Sequence, residues 1–195
     1  MQAALYGSAD KTSSNRSEPP RHRRKLERYR FSDRRIVGSA NDRVVIMSTT
    51  TSILNDLIET LKDGQEGFRA ASEDVQSHDL KTLFCEYSLQ RSKFAGELQA
   101  IAHSLGEKEP ETTGSVSGAL HRGWINLKAA LTSKDEHAIL TECERGEDSA
   151  VAEYKNALSA TGLSADVADT LRAQSVEVKA AHDRVRTLRD AMVAK

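Results

Sequence analysis

Residues 142–154 read ECERGEDSAVAEY, and their spacing decides the fold. At about 100° per residue, Cys143, Glu147, Ala150 and Tyr154 share one helical face. Glu147 therefore sits in the middle of a stripe that should be buried. A buried carboxylate is costly unless something satisfies it. The segment asks for a metal ion or for a polar side chain from a neighbouring helix, and both answers require several helices around one core.

The composition agrees with an all-α protein. The 195 residues are 38% hydrophobic, enough for one sizeable core. Prolines stand only at Pro19, Pro20 and Pro110, while helix-favouring Ala, Leu, Glu, Lys and Arg are plentiful. No apolar run approaches the roughly 20 residues of a membrane span. The opening MQAALYGSAD lacks the apolar middle of a signal peptide. A soluble, cytoplasmic protein with no membrane partner is expected. Cys85 and Cys143 lack CxxC spacing, which argues against a disulfide framework or a zinc knuckle.

Charge divides the chain. Residues 1–47 hold 11 Lys and Arg against 5 Asp and Glu, a balance of +6, whereas residues 48–195 hold 17 against 24, a balance of −7. The first stretch includes RHRRKLERYRFSDRR, has little apolar content and no sustained period, and reads as a disordered basic arm. Residues 16–43 of that arm are the only segment suited to nucleic acid. Met47, followed by STTTSILNDLIETL, offers an alternative start, with residues 1–46 an extension upstream of it.

From residue 48 onward the reading is of successive amphipathic helices. Ser52 is expected to cap a helix to about Val75, with Leu54, Leu57, Leu61, Gly64, Phe68, Ala71 and Val75 inward. A second helix, about His78 to Leu105, carries Leu80, Leu83, Phe84, Tyr87, Phe94, Leu98, Ile101 and Leu105 on one face. GEKEPETTGSVSG breaks the chain. A shorter helix, about Val116 to Leu131, turns Leu120, Trp124, Leu127 and Leu131 inward. Another runs from near Lys134 to about Ser159. The last starts at Ser164 and buries Val167, Leu171, Val178, Val185 and Leu188. Four long helices and one short connector predict an antiparallel four-helix bundle.

The strings LNDLIETLKDGQEGF, QRSKFAGELQ, GSVSGALHRGWINLKAAL and ECERGEDSAVAEYKNAL resemble a bacterial four-helix-bundle family of the ferritin-like superfamily, the domain of unknown function DUF2383. The resemblance covers about residues 50–192 and implies a ferritin-like fold in a bacterium, with no established activity.

Ferritin-like carboxylate proteins hold two metals with a Glu from each of two helices and a Glu-x-x-His from each of the other two. This chain has no Glu-x-x-His; Lys179 stands three residues before His182. On the first helix Gln65 flanks the stripe and Glu66 points away. The central polar positions are Gln65, Gln90, Arg91, Glu147 and Gln174, each near the middle of its helix. These five predict one structural polar layer, with Arg91 paired to Glu147 because a guanidinium matches a carboxylate and either charge alone would be costly. Weaker metal candidates are Glu147 itself and a mononuclear set of Glu97, Glu144 and His182, for which a solvated face is the commoner fate. His121 reads as a surface or stacking residue, His78 as a helix start, and His103 as outward. Cys143 faces inward and Cys85 outward. Gly64, Gly67, Gly96, Gly123 and Gly146 are expected to permit close helix contacts. No Gly-rich phosphate loop or nucleophile elbow is present.

Two function classes follow. The first is a non-enzymatic bundle without cofactor, acting by interaction or as a stress-related accessory protein. The second is an iron- or manganese-binding protein of oxidase or storage type. The same amphipathic helices could also dock two copies as a homo-oligomer.

Overall fold

Val75, Gln76 and Ser77 make the tightest turn between long helices, and they fix the first hairpin. The computed structural model describes residues 40–110 and 118–193, and the side chains of residues 45–110 and 126–192. Five α-helices account for nearly all of them: α1 Ala40–Asp74, α2 His78–Ser104, α3 Gly118–Ser133, α4 Glu136–Leu158 and α5 Ala165–Val193. No strand occurs among the described residues. No helix there is long and apolar enough to cross a membrane. The expected disordered arm, as far as residue 39, and the side chains of His121 and Trp124 lie outside the described residues.

Caps set the helix starts. Ser77 accepts from the Leu80 N–H before α2, and Asp135 accepts from His137 and Ala138 before α4. The expected start at Ser52 is wrong. α1 begins twelve residues earlier, at Ala40, so the boundary drawn at residue 47 falls inside a helix. The hydroxyls of Ser48, Thr49 and Thr51 bond back to carbonyls three or four residues earlier. Residues that cap in one context thus sit within the helix here.

Topology follows from one contact. Glu136, in the first turn of α4, accepts from the backbone N–H groups of Gln76 at 2.7 Å and Ser77 at 2.6 Å. α4 therefore starts at the end of the bundle where α1 finishes and runs alongside α2 in direction. α1 packs on α2 and α4, and α5 packs on α4 and α2. Every one of these neighbours is antiparallel. The link from α2 to α4 must climb the length of the bundle, and it includes α3, which packs on α1 and α4.

The core lies along this axis in two parts. Toward the α1–α2 turn, Phe68, Val75, Leu80, Phe84, Leu127, Ile139, Leu140 and Val185 interlock. Toward the other end lie Leu54, Leu57, Ile58, Leu98, Ala102, Ala157, Val167 and Leu171, all buried. Each fully buried Leu, Ile or Phe contributes roughly 1.5–3 kcal/mol by leaving water. Between the two parts, the most buried large side chains include an arginine and a glutamate.

Candidate functional site

Arg91 is the central residue of α2 and Glu147 the central residue of α4, and both are at least 98% shielded from solvent. Arg91 Nη2 donates to Glu147 Oε2, and Nη1 donates to Gln90 Oε1. The guanidinium carbon stands 5.8 Å from the centre of the Phe68 ring, which itself packs on Phe84 and Tyr87. Gly64 opens space for the arginine stem: a Cβ built there would lie 3.5 Å from Arg91 Cγ. Burial lifts the Glu147 carboxyl above the ordinary range, while the charge and hydrogen bond of Arg91 pull it down. Burial also raises the thiol of Cys143, one turn away.

A second polar group lies nearer the other end of the bundle. Tyr154 Oη donates to Gln174 Oε1 at 2.7 Å, and Gln174 Nε2 donates to Glu97 Oε2 at 2.7 Å. Gln174 is 2% exposed and needs these partners. The five residues expected in one layer are thus divided. Arg91, Glu147 and Gln90 form one hydrogen-bonded set, and Gln174 belongs to another. Gln65 joins neither: its backbone carbonyl accepts from Ser88, and its buried side-chain oxygen has no hydrogen-bond partner. Gln65 stands at the level of the pair, since its neighbour Gly64 faces the Arg91 stem; what differs is its direction, about 100° further round α1.

The weaker metal candidates do not converge. Glu97 is held by Gln174, and Glu144 accepts from Arg189 Nη1. His182 Nε2 stands 2.8 Å from Asp148 Oδ1, and Nδ1 stands 3.0 Å from Asp183 Oδ1. Glu147 is engaged by Arg91. No group of three or more His, Cys, Asp or Glu side chains among the described residues is arranged to hold a metal ion. In this arrangement Glu97, Glu144, Glu147 and His182 are each bonded to a side chain of their own chain.

The solvated face expected for Glu144 and His182 is a further correction, because both are buried, at 7% and 8% exposure. α4 touches α1, α3 and α5 at once, so far more than a 100° stripe is covered. Arg189 and Asp148 were missed as partners. They lie on helix flanks, and only the register of α4 against α5 brings them to their targets. Tyr154 lies in the buried stripe as expected, and its hydroxyl finds the partner that burial demands in Gln174. The glycines also differ from expectation. Gly64 faces Arg91 and Gly67 faces Leu127, but nothing lies within 4 Å of a Cβ at Gly96 or Gly146. Gly123 falls outside the residues with described side chains.

Residues 49–160 match the family model described as a domain of unknown function, DUF2383. The chain belongs to this family. The match runs from α1 through α4 and includes Arg91 and Glu147, whereas α5, with Gln174 and His182, lies beyond it. The expected span to residue 192 is therefore longer than the match. A search of curated proteins finds no match to the chain.

Proposed function

We propose that this DUF2383 chain is a ferritin-like bundle that acts as a structural or interaction module and not as an enzyme. The observation that carries the reading is the Arg91–Glu147 pair at the bundle centre. In ferritin-like carboxylate proteins the inward carboxylates of facing helices gather metal. Here the central carboxylate is engaged by a guanidinium of its own chain, and a fixed cation beside it opposes a second cation. The single long crossover between two antiparallel hairpins is the connectivity ferritin-like folds share. The pair fixes how α2 slides against α4, which is the best-attested use of buried charge. Two free cysteines, one of them exposed, support a reducing cytoplasmic setting. Any contact with nucleic acid is confined in this reading to the basic residues 16–43.

The test is elemental analysis of the purified full chain for iron, manganese and zinc, beside Glu147→Gln. Metal below a tenth of an equivalent in both proteins is the expected result. One or more equivalents in the wild type, lost in Glu147→Gln, would restore the iron- or manganese-binding alternative.

A further inference from the structure

We propose that two copies of this chain associate through the face formed by α2 and α5, about a two-fold axis parallel to the helices. This stands apart from the reading of the central pair, since it concerns the surface alone.

α2 and α5 make the slightest contact of all the neighbouring pairs, and a groove of about 590 Å³ lies between them, lined by Phe94, Ile101 and Ala173 and by the polar Lys93, Glu97 and Glu177. Leu89 on α2 and Val176 on α5 project beside it at 72% and 69% exposure. Large exposed apolar side chains beside a groove of mixed polar and apolar lining mark an interaction surface.

The occupant follows from complementarity. The bonds Gln90–Glu177 and Gln174–Glu97 set the levels of α2 against α5. Followed along the two antiparallel helices, they place Leu89 level with Ala180, Lys93 with Glu177 and Gly96 with Ala173, and all six are exposed. A two-fold axis parallel to the helices lays α2 of one copy over α5 of the other and keeps every level. Leu89 then meets Ala180 of the second copy, and Gly96 meets Ala173. Lys93 meets Glu177, and each contact occurs twice, as an isologous interface requires. The projecting side chain faces a small one, and the cation faces an anion. The contacts span about two turns of each helix, an interface smaller than the roughly 800 Å² per partner of the standard size, so the association is sought up to high protein concentration.

Sedimentation equilibrium of the full chain from 1 to 500 μM tests this. A dimer is expected in the wild type, with association weakened at least tenfold by Leu89→Asp, a change at an exposed position that should leave helicity unaltered. Lys93→Glu alone should weaken the dimer, and Lys93→Glu combined with Glu177→Lys should restore it. A wild type that stays monomeric to 500 μM overturns the proposal. So does a dimer that neither Leu89→Asp nor Lys93→Glu affects, or one that the double charge exchange fails to restore.

Discussion

Arg91 and Glu147 are bonded to one another at the centres of helices 56 residues apart in sequence, with almost no access to water. Removing either partner leaves the other as an uncompensated buried charge. Arg91→Met and Glu147→Gln should each lower the unfolding free energy by about 3–5 kcal/mol. The double variant should lose clearly less than the two single losses together, because no charge is then stranded. Urea denaturation of the four proteins measures the coupling, and strictly additive losses would contradict a direct pair.

Tyr154→Phe removes one hydroxyl and leaves Gln174 Oε1 buried without its donor. A loss of about 1–3 kcal/mol is expected, the cost of a buried acceptor left unsatisfied. Thermal unfolding unchanged from the wild type would show that this hydrogen bond is not needed.

His182 gives a pH dependence with a defined sign. Burial works against charge on its ring, but hydrogen bonds to Asp183 and Asp148 and their charges outweigh that and raise its pKa above the ordinary 6.5. A neutral imidazole has one N–H and can serve only one of the two carboxylates as donor, whereas the imidazolium serves both. With the folded value above the unfolded one, the stabilisation is full below about pH 6.5 and disappears as pH rises through the folded value. The melting temperature of the wild type should therefore fall between pH 6 and pH 9 more than that of His182→Gln. Parallel curves for the two proteins would rule this out.

Two glycines should respond in opposite directions to alanine. Gly146 is helical and exposed with nothing near a Cβ, so Gly146→Ala should stabilise by up to about 1 kcal/mol. Gly162 has φ of 92° and would bring a Cβ to 3.3 Å from Ile46 Cγ2. Gly162→Ala should destabilise by about 1–2 kcal/mol. Chemical denaturation of both variants checks the pair of signs, and a stable Gly162→Ala would mean that the loop relaxes freely.

Much of this was legible in the chain itself. Spacing of three and four marked every long helix, because burying one face of a helix leaves a periodic record. The inward position of Glu147 and its call for Arg91 could be read for the same reason, since both charges interrupt apolar stripes. Tertiary structure alone decided the rest. The start of α1 at Ala40 was hidden because serine and threonine bond either as caps or back along a helix, and the local sequence is the same in both cases. The division of the polar residues into two sets, and the meetings of Glu144 with Arg189 and His182 with Asp148, depend on how far one helix slides along another. Periodicity gives the direction in which a side chain points, but it carries no measure of that displacement. The displacement is set by the packing of whole faces together.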